Sequence, residues 1–208
     1  SMDRASRWAP RMPMQLAPDP VWGLPRQPWS GGLSIVVCWR PSPLLGLRGW
    51  SLLLNALSRL AEDLDAPVRW LAFHRHQDGE LLDWLTDQGV VPPGLRSRST
   101  TVIPSSLDTV FASVRKARLV IPMRLHALIL ARLAHCPMAA LSYDPKVEAA
   151  AAMAGIPCSS LDALPAEPTL LKQWREAMDS PADSDQIERI RAAAAHHGSH
   201  LRRYLPQR

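Results

Sequence analysis

Arg124 and His126 stand two residues apart in the stretch RLVIPMRLHALILARLAH. The first carries a permanent charge and the second titrates near neutrality. Before them lies an apolar run, RLVIP, and after them a helix-patterned one, so the pair marks a junction of strand and helix. The first backbone N–H groups of a helix have no intrahelical partner, and the positive end of its dipole faces the same way. Such ends hold phosphates and carboxylates. Arg124 adds a two-pronged donor for an oxyanion, and His126 adds a transferable proton. The implied chemistry is capture of a small, multiply charged anion with an acid within reach.

In an open parallel sheet, ligands bind outside the carboxyl ends of the strands. Other polar residues at predicted strand ends are therefore candidates too. Arg40 and Ser42 follow LSIVVCW, and His74, Arg75, His76, Gln77 and Asp78 cluster at the end of PVRWLAFH. Ser142, Tyr143, Asp144 and Lys146 close PMAALSY. Three of these four ends carry arginine and the other carries lysine, which suits an anion. Asp144 before Pro145 reads either as a helix cap or as a site carboxylate. His74 and His76 alternate along an extended segment, so at most one faces any site.

The positioning elements follow from periodicity. Short continuous apolar runs predict buried strands at LSIVVCW, PVRWLAFH, TTVI, RLVIP, PMAALSY and IPCSSL. Helical spacing predicts helices between them: Trp50, Leu53, Leu54, Leu57, Leu60 and Leu64 share one face, and Val110, Phe111 and Val114 another. Ser105 or Ser106 is placed to cap the latter helix, and Gly155 to end the one that starts at Pro145. The predicted fold class is α/β: a Rossmann-like parallel sheet of about six strands with helices on both faces. Residues 1–30, rich in proline, read as a linker anchored by Val21, Trp22 and Leu24. Residues 31–165 read as the Rossmann-like domain and 166–208 as C-terminal helices, with Ile187, Ile190 and Ala194 facing inward.

The chain has 208 residues, 47% hydrophobic and 21% charged, enough for one well-buried core. No apolar run is long enough to span a membrane and no secretory leader opens the sequence, so a cytoplasmic protein is expected. Cys38, Cys136 and Cys158 lack metal-site spacing and read as buried free thiols; no metal and no cofactor is expected. The net charge of +5 and pI near 9.6 favour anionic partners. The arginines are scattered, without a basic block interleaved with aromatics, which argues against nucleic acid.

MRLHALI (Met123 to Ile129) and SYDPKV (Ser142 to Val147), in that order and about a dozen residues apart, resemble the polysaccharide pyruvyl transferase family of the CsaB type. WRP at Trp39 to Pro41 and the pair Gln77-Asp78 are weaker likenesses. The resemblance covers roughly residues 19–165; Pro122 departs from it, where a small residue is commoner. It implies a GT-B-like enzyme of two Rossmann-like halves, of which this chain is the C-terminal, donor-binding half and residues 1–30 include a remnant of the N-terminal domain. It implies transfer of a pyruvyl group from phosphoenolpyruvate to a sugar of a cell-wall or surface polysaccharide, forming a ketal. The acceptor would be lipid-linked or polymeric, at the inner face of the membrane, and its contacts would come largely from the missing domain, leaving the fragment inactive by itself. Phosphoenolpyruvate is the donor substrate. His126 and Asp144 are the implied catalytic groups, and Arg40, Arg124, Leu125, Ser142, Tyr143 and Lys146 the implied substrate contacts. Two alternatives stay open: a nucleotide-sugar glycosyltransferase or epimerase domain of the same fold, and a non-catalytic anion- or nucleic-acid-binding module. Against the first, Glu148 is followed by alanines and Gly155 rather than by a second glutamate.

Overall fold

The computed structural model describes residues 17–180 and 182–204. Of the expected linker and domain remnant at residues 1–30, the part at 1–16 lies outside the described residues. Six parallel strands appear where apolar runs predict them: β1 Ser34–Cys38, β2 Val68–Leu71, β3 Ser99–Val102, β4 Ala117–Pro122, β5 Ala140–Ser142 and β6 Cys158–Ser160. Hydrogen bonding divides them into a four-stranded sheet, β3-β2-β1-β4, and a β5-β6 pair. A parallel bridge between Val120 and Met138 sets the pair beside β4. Val120 N donates to Pro137 O at 2.9 Å and Ala139 N to Val120 O at 3.2 Å. The expected single six-stranded sheet is thus interrupted at one ladder. Pro137 offers no N–H there, and β5 is only three residues long.

All five residues of β1 are buried, as a strand covered on both faces must be. Ile35 and Val37 pack with Leu119 and Ile121 on one face of the sheet; Val36 and Cys38 pack with Val120 on the other. The first face is covered by α1 Leu47–Asp63, with Leu53, Leu54, Leu57 and Leu60 inward. Two short helices follow β2, α2 Arg75–Asp78 and α3 Leu81–Asp87, and then α4 Pro93–Arg98 leads into β3. On the second face lie α5 Leu107–Arg115, α6 Leu125–Leu133 and α7 Pro145–Met153. The C-terminal helices are α8 Glu167–Met178, against the first face through Leu170 and Trp174, and α9 Ser184–Tyr204, against the second through Ile187, Ile190 and Ala194.

Local chemistry sets the ends of these helices. Ser106 Oγ accepts from Thr109 N at the start of α5, and Asp144 Oδ1 accepts from Lys146 N at the start of α7. Gly155 ends α7 at φ +61, a left-handed position that glycine occupies without strain. His135 ends α6 at φ +55 with a side chain that is unsuited to it. α2 was not expected from the sequence: a single polar turn has no apolar periodicity to read.

Residues 17–33 form a strap packed against the domain. Pro20–Gly23 is a 3-10 turn capped by Asp19, and Trp22 is buried at 1% exposure with Val21 and Leu24 packed beside it. Gln27 N donates to Leu133 O at 3.0 Å, Arg191 Nε to Leu24 O at 3.1 Å, and a His197 ring nitrogen lies 2.6 Å from Pro18 O. A Cβ on Gly32 would sit 1.9 Å from Lys116 O, so the strap enters β1 at a place only glycine fits.

Cys38 and Cys136 are buried, whereas Cys158 is only partly so, a correction to the expectation of three buried thiols. Burial, with Asp78 and Cys136 adding to it, holds the Cys38 thiol far above its usual range. Burial, then Glu148, pushes Cys158 up to about 11. No helix among the described residues is long and apolar enough to cross a membrane.

His135 yields a pH-dependent prediction. Burial first, then Arg26 and Arg132, hold its imidazole below the usual histidine value. The unfolded chain therefore takes up this proton more readily than the folded one. Stability is unaffected above about pH 6.5 and falls as pH drops from there towards the lower folded value. His135→Gly removes both this titration and the left-handed strain, so it is expected to stabilise by about 1 kcal/mol. Thermal unfolding at pH 8 and pH 5 checks it: the variant should gain more at the lower pH. An equal gain at both would show that the imidazole titrates normally.

Candidate functional site

The chain runs β1, β2, β3 outward to one side and then returns to place β4 on the other side of β1. In a doubly wound sheet this reversal opens a crevice at the carboxyl ends of the two strands. At this carboxyl end of the sheet, Phe73, His74, Arg124, Leu125, His126 and Tyr143 line a cavity of about 300 Å³. It is built from the ends of β2, β4 and β5.

The guanidinium in this cavity is held from behind. Asp78 is 3% exposed, and its Oδ2 accepts from Phe73 N at 3.0 Å, His74 N at 2.9 Å and Arg124 Nε at 3.1 Å. Arg124 Nη2 donates to Asp78 Oδ1. An isolated carboxylate at that depth would be very costly, and these donors compensate it. The α2 turn makes the arrangement possible, because it brings Asp78 back beneath the end of β2. His74 caps that turn, with its Nδ1 accepting from Gln77 N at 3.3 Å.

Arg124 thus spends one edge of its planar fork on Asp78. Nη2 also donates to Gln77 Oε1 at 3.3 Å. The Nη1 group makes no hydrogen bond among the described residues. Displacement of one exposed amide, that of Gln77, frees the Nη1–Nη2 edge for a bidentate acceptor. Arg124 is also the N-cap residue of α6, and no side chain caps that helix. The first-turn amides of Leu125, His126 and Ala127 are left as donors beside the guanidinium.

His126 has a side chain 57% exposed, and its Nε2 lies 3.7 Å from Asp19 Oδ2, on the strap. Sequence patterning could not pair these two, which are 107 positions apart. Arg40 does not line the cavity. Its Nη1 donates to Tyr143 Oη at 3.1 Å, and its guanidinium carbon sits 4.7 Å from the centre of the Tyr143 ring. Arg40 thus supports the cavity wall through a cation–π contact.

The structure places the other candidates elsewhere. Ser142 is fully buried, and its hydroxyl donates to Asp144 O at 2.9 Å and accepts from Asp144 N at 3.3 Å, which makes it a turn residue. The Asp144 carboxylate caps α7, and among the described residues no hydrogen bond or ion pair joins it to His126. Lys146 is exposed and lines a separate, mostly apolar cavity of about 550 Å³ with Asp19, Trp22, Leu125 and Met153. The cation-rich mouth expected from the strand ends is accordingly reduced at the cavity to Arg124, with two histidines. His74 lines this cavity and His76 does not. Asp78 is a strand-end candidate in the sequence, whereas Phe73 and Asp19 carry no sequence signal that ties them to this site. Among the described residues no cluster of His, Cys, Asp and Glu is arranged to hold a metal ion.

No family model and no curated protein matches the chain. Among solved structures, it is similar to the glycotransferase of kitacinnamycin, with a TM-score of 0.50 and 15% identity over 85% of this chain and 44% of that one. A mutant O-GlcNAc transferase of Thermobaculum terrenum is similar with a TM-score of 0.44 and 16% identity, over 92% of this chain and 34% of that one. The chain spans less than half the length of either. It has the Rossmann-like α/β fold of GT-B glycosyltransferases.

Proposed function

We propose that this chain is the donor-binding domain of a polysaccharide pyruvyl transferase and that its cavity takes phosphoenolpyruvate. The observation that carries this reading is the arrangement around Arg124. A guanidinium fixed by a buried carboxylate stands beside an uncapped helix start and an exposed imidazole, all on one cavity. Phosphoenolpyruvate presents a carboxylate and a phosphate close together. The free edge of Arg124 suits one, and the α6 amides suit the other. The GT-B fold, known from transferases that act on sugars, supports a carbohydrate acceptor.

The reaction asks for a proton and two hydroxyl groups. His126 as imidazolium donates a proton to the methylene carbon of the enol, which makes C2 electrophilic. One sugar hydroxyl adds to C2, the C2–O bond to phosphate breaks, and a second hydroxyl of the same sugar closes the ketal. One hydroxyl proton replaces the one His126 gave, and the other leaves with phosphate. Asp19 Oδ2, 3.7 Å from His126 Nε2, stands where it can orient the ring. Asp144, capping α7, is the alternative base.

Calorimetric titration tests the reading. Phosphoenolpyruvate should bind the wild-type chain and UDP-glucose should not. His126→Ala should weaken phosphoenolpyruvate only severalfold. Where acceptor turnover is measurable, the same change should lower kcat by about 10²–10⁴-fold, the usual share of a general acid. Unchanged turnover would remove His126 from that role. A second reading, a nucleotide-sugar glycosyltransferase domain, is favoured by the fold likeness alone; UDP-glucose binding without phosphoenolpyruvate binding would establish it instead.

A further inference from the structure

Beside the anion cavity lies a second depression of about 360 Å³, at the carboxyl ends of β1 and β2. Its walls are Pro41, His76, Gln77, Glu80, Leu81 and Trp84. Trp84 is out of keeping with most of its kind in this chain. Trp22, Trp39, Trp50, Trp70 and Trp174 are all 3% exposed or less, whereas Trp84 is 45% exposed. Trp29 is exposed to a similar extent, but its indole N–H is tied to Ala117 O at 2.9 Å. The Trp84 indole makes no hydrogen bond among the described residues. It stands on α3, whose inward face is Leu81, Leu82 and Leu85, so its ring is not needed to hold the helix down.

Around that ring sit groups that recognise hydroxyls. Glu80 is exposed, and its carboxylate makes no hydrogen bond or ion pair among the described residues. The Gln77 amide accepts from Arg124 through its oxygen and keeps both N–H donors. His76 adds an imidazole at the rim. Gln77 therefore links the wall of the depression to Arg124 of the anion cavity, and Arg40 Nε donates to Pro41 O at 3.2 Å.

We propose that this depression is a saccharide subsite, in which a pyranose ring lies on Trp84 while Glu80 and Gln77 bind its hydroxyls. One face of a pyranose is a patch of slightly positive C–H groups, and an indole face is negative. The edges of the same ring carry hydroxyls that both donate and accept, which a carboxylate and an amide satisfy together. A purely apolar ligand would leave Glu80 and Gln77 unpaired as it displaced their water. An aromatic anion would be repelled by Glu80. A sugar seated here presents its hydroxyls to Gln77 and hence to the Arg124 cavity, so the site doubles as the acceptor site if the proposed pyruvyl transfer holds. That last role rests on the proposed function; the sugar binding does not.

The test uses saturation-transfer-difference NMR with methyl β-galactopyranoside and methyl β-glucopyranoside as probes. Phosphoenolpyruvate is titrated separately on the same samples. A single stacked ring should bind with a dissociation constant on the order of millimolar, with transfer strongest to the ring C–H protons. Trp84→Ala should weaken glycoside binding roughly five- to tenfold, Trp84→Phe should recover part of it, and neither should change phosphoenolpyruvate affinity. Glu80→Gln, which leaves the apolar wall intact, should weaken glycosides while the far-ultraviolet circular dichroism stays unchanged. Absence of glycoside binding to the wild type, or equal binding to Trp84→Ala, overturns the subsite and leaves the donor site standing. Glycoside binding through Trp84 without phosphoenolpyruvate binding sustains the subsite and overturns the donor reading.

Discussion

Arg124→Ala is expected to lower phosphoenolpyruvate affinity by about a hundredfold or more, since two charge-assisted hydrogen bonds of about 1.5–3 kcal/mol each are lost. Arg124→Lys should recover little. Arg124 engages Asp78 through Nε and Nη2, lines the cavity, and keeps Nη1 without a hydrogen bond among the described residues. An ammonium is a single point and cannot face both ways with fixed geometry. A lysine would satisfy Asp78 and leave the ligand, or the reverse. Calorimetry on both variants checks this, and a lysine variant that binds within threefold of wild type would show that charge alone, and not the planar fork, is what the ligand feels.

Asp78→Ala is the complementary case, with its main effect on folding. The carboxylate is 3% exposed and serves two backbone N–H groups as well as the guanidinium. Its removal leaves Phe73 N and His74 N without acceptors and frees Arg124. Breaking a buried pair by removing one partner costs about 3–5 kcal/mol, enough to consume a large part of a typical domain's stability. Phosphoenolpyruvate affinity should also fall, by about tenfold, because a free guanidinium must be ordered on binding. Asp78→Asn should lie between, as it keeps one acceptor oxygen but turns an amide N–H₂ towards a cation. Urea unfolding beside the same titrations separates the two positions. Arg124→Ala, which leaves the buried Asp78 carboxylate without its cation, should lose heavily in both, whereas Asp78→Ala should lose more in stability than in binding. If Asp78→Ala unfolds at the wild-type midpoint, the clamp behind Arg124 has no energetic weight.

Much of the fold was legible because burial on two faces leaves a plain pattern. SIVVC and ARLVIP are short apolar runs between helical stretches, the pattern of strands covered by helices on both faces. The break beside β5 was less legible: Pro137 is visible in the sequence, but its effect depends on which strand lies next to it. The sequence predicts a surface linker with apolar anchors; what it cannot show is that Trp22 is fully buried in a turn packed against α6 and against α9 from the far end of the chain.

Within the candidate site, the sequence alone determined that Arg124 and His126 open a helix directly after a buried strand, because that follows from local patterning. The pairing of Arg124 with Asp78, of His126 with Asp19 and of Arg40 with Tyr143 was decided only by the tertiary structure. These partners are 46, 107 and 103 positions apart. Local propensity carries no information about them: charges far apart in sequence meet only where strand order brings their loops to the same end of the sheet. The same packing sent Ser142 into the interior and Lys146 to another cavity, although both stand in the same six-residue motif as Tyr143. Neighbouring residues at a strand end diverge in direction, and only the surrounding helices decide which of them faces a ligand.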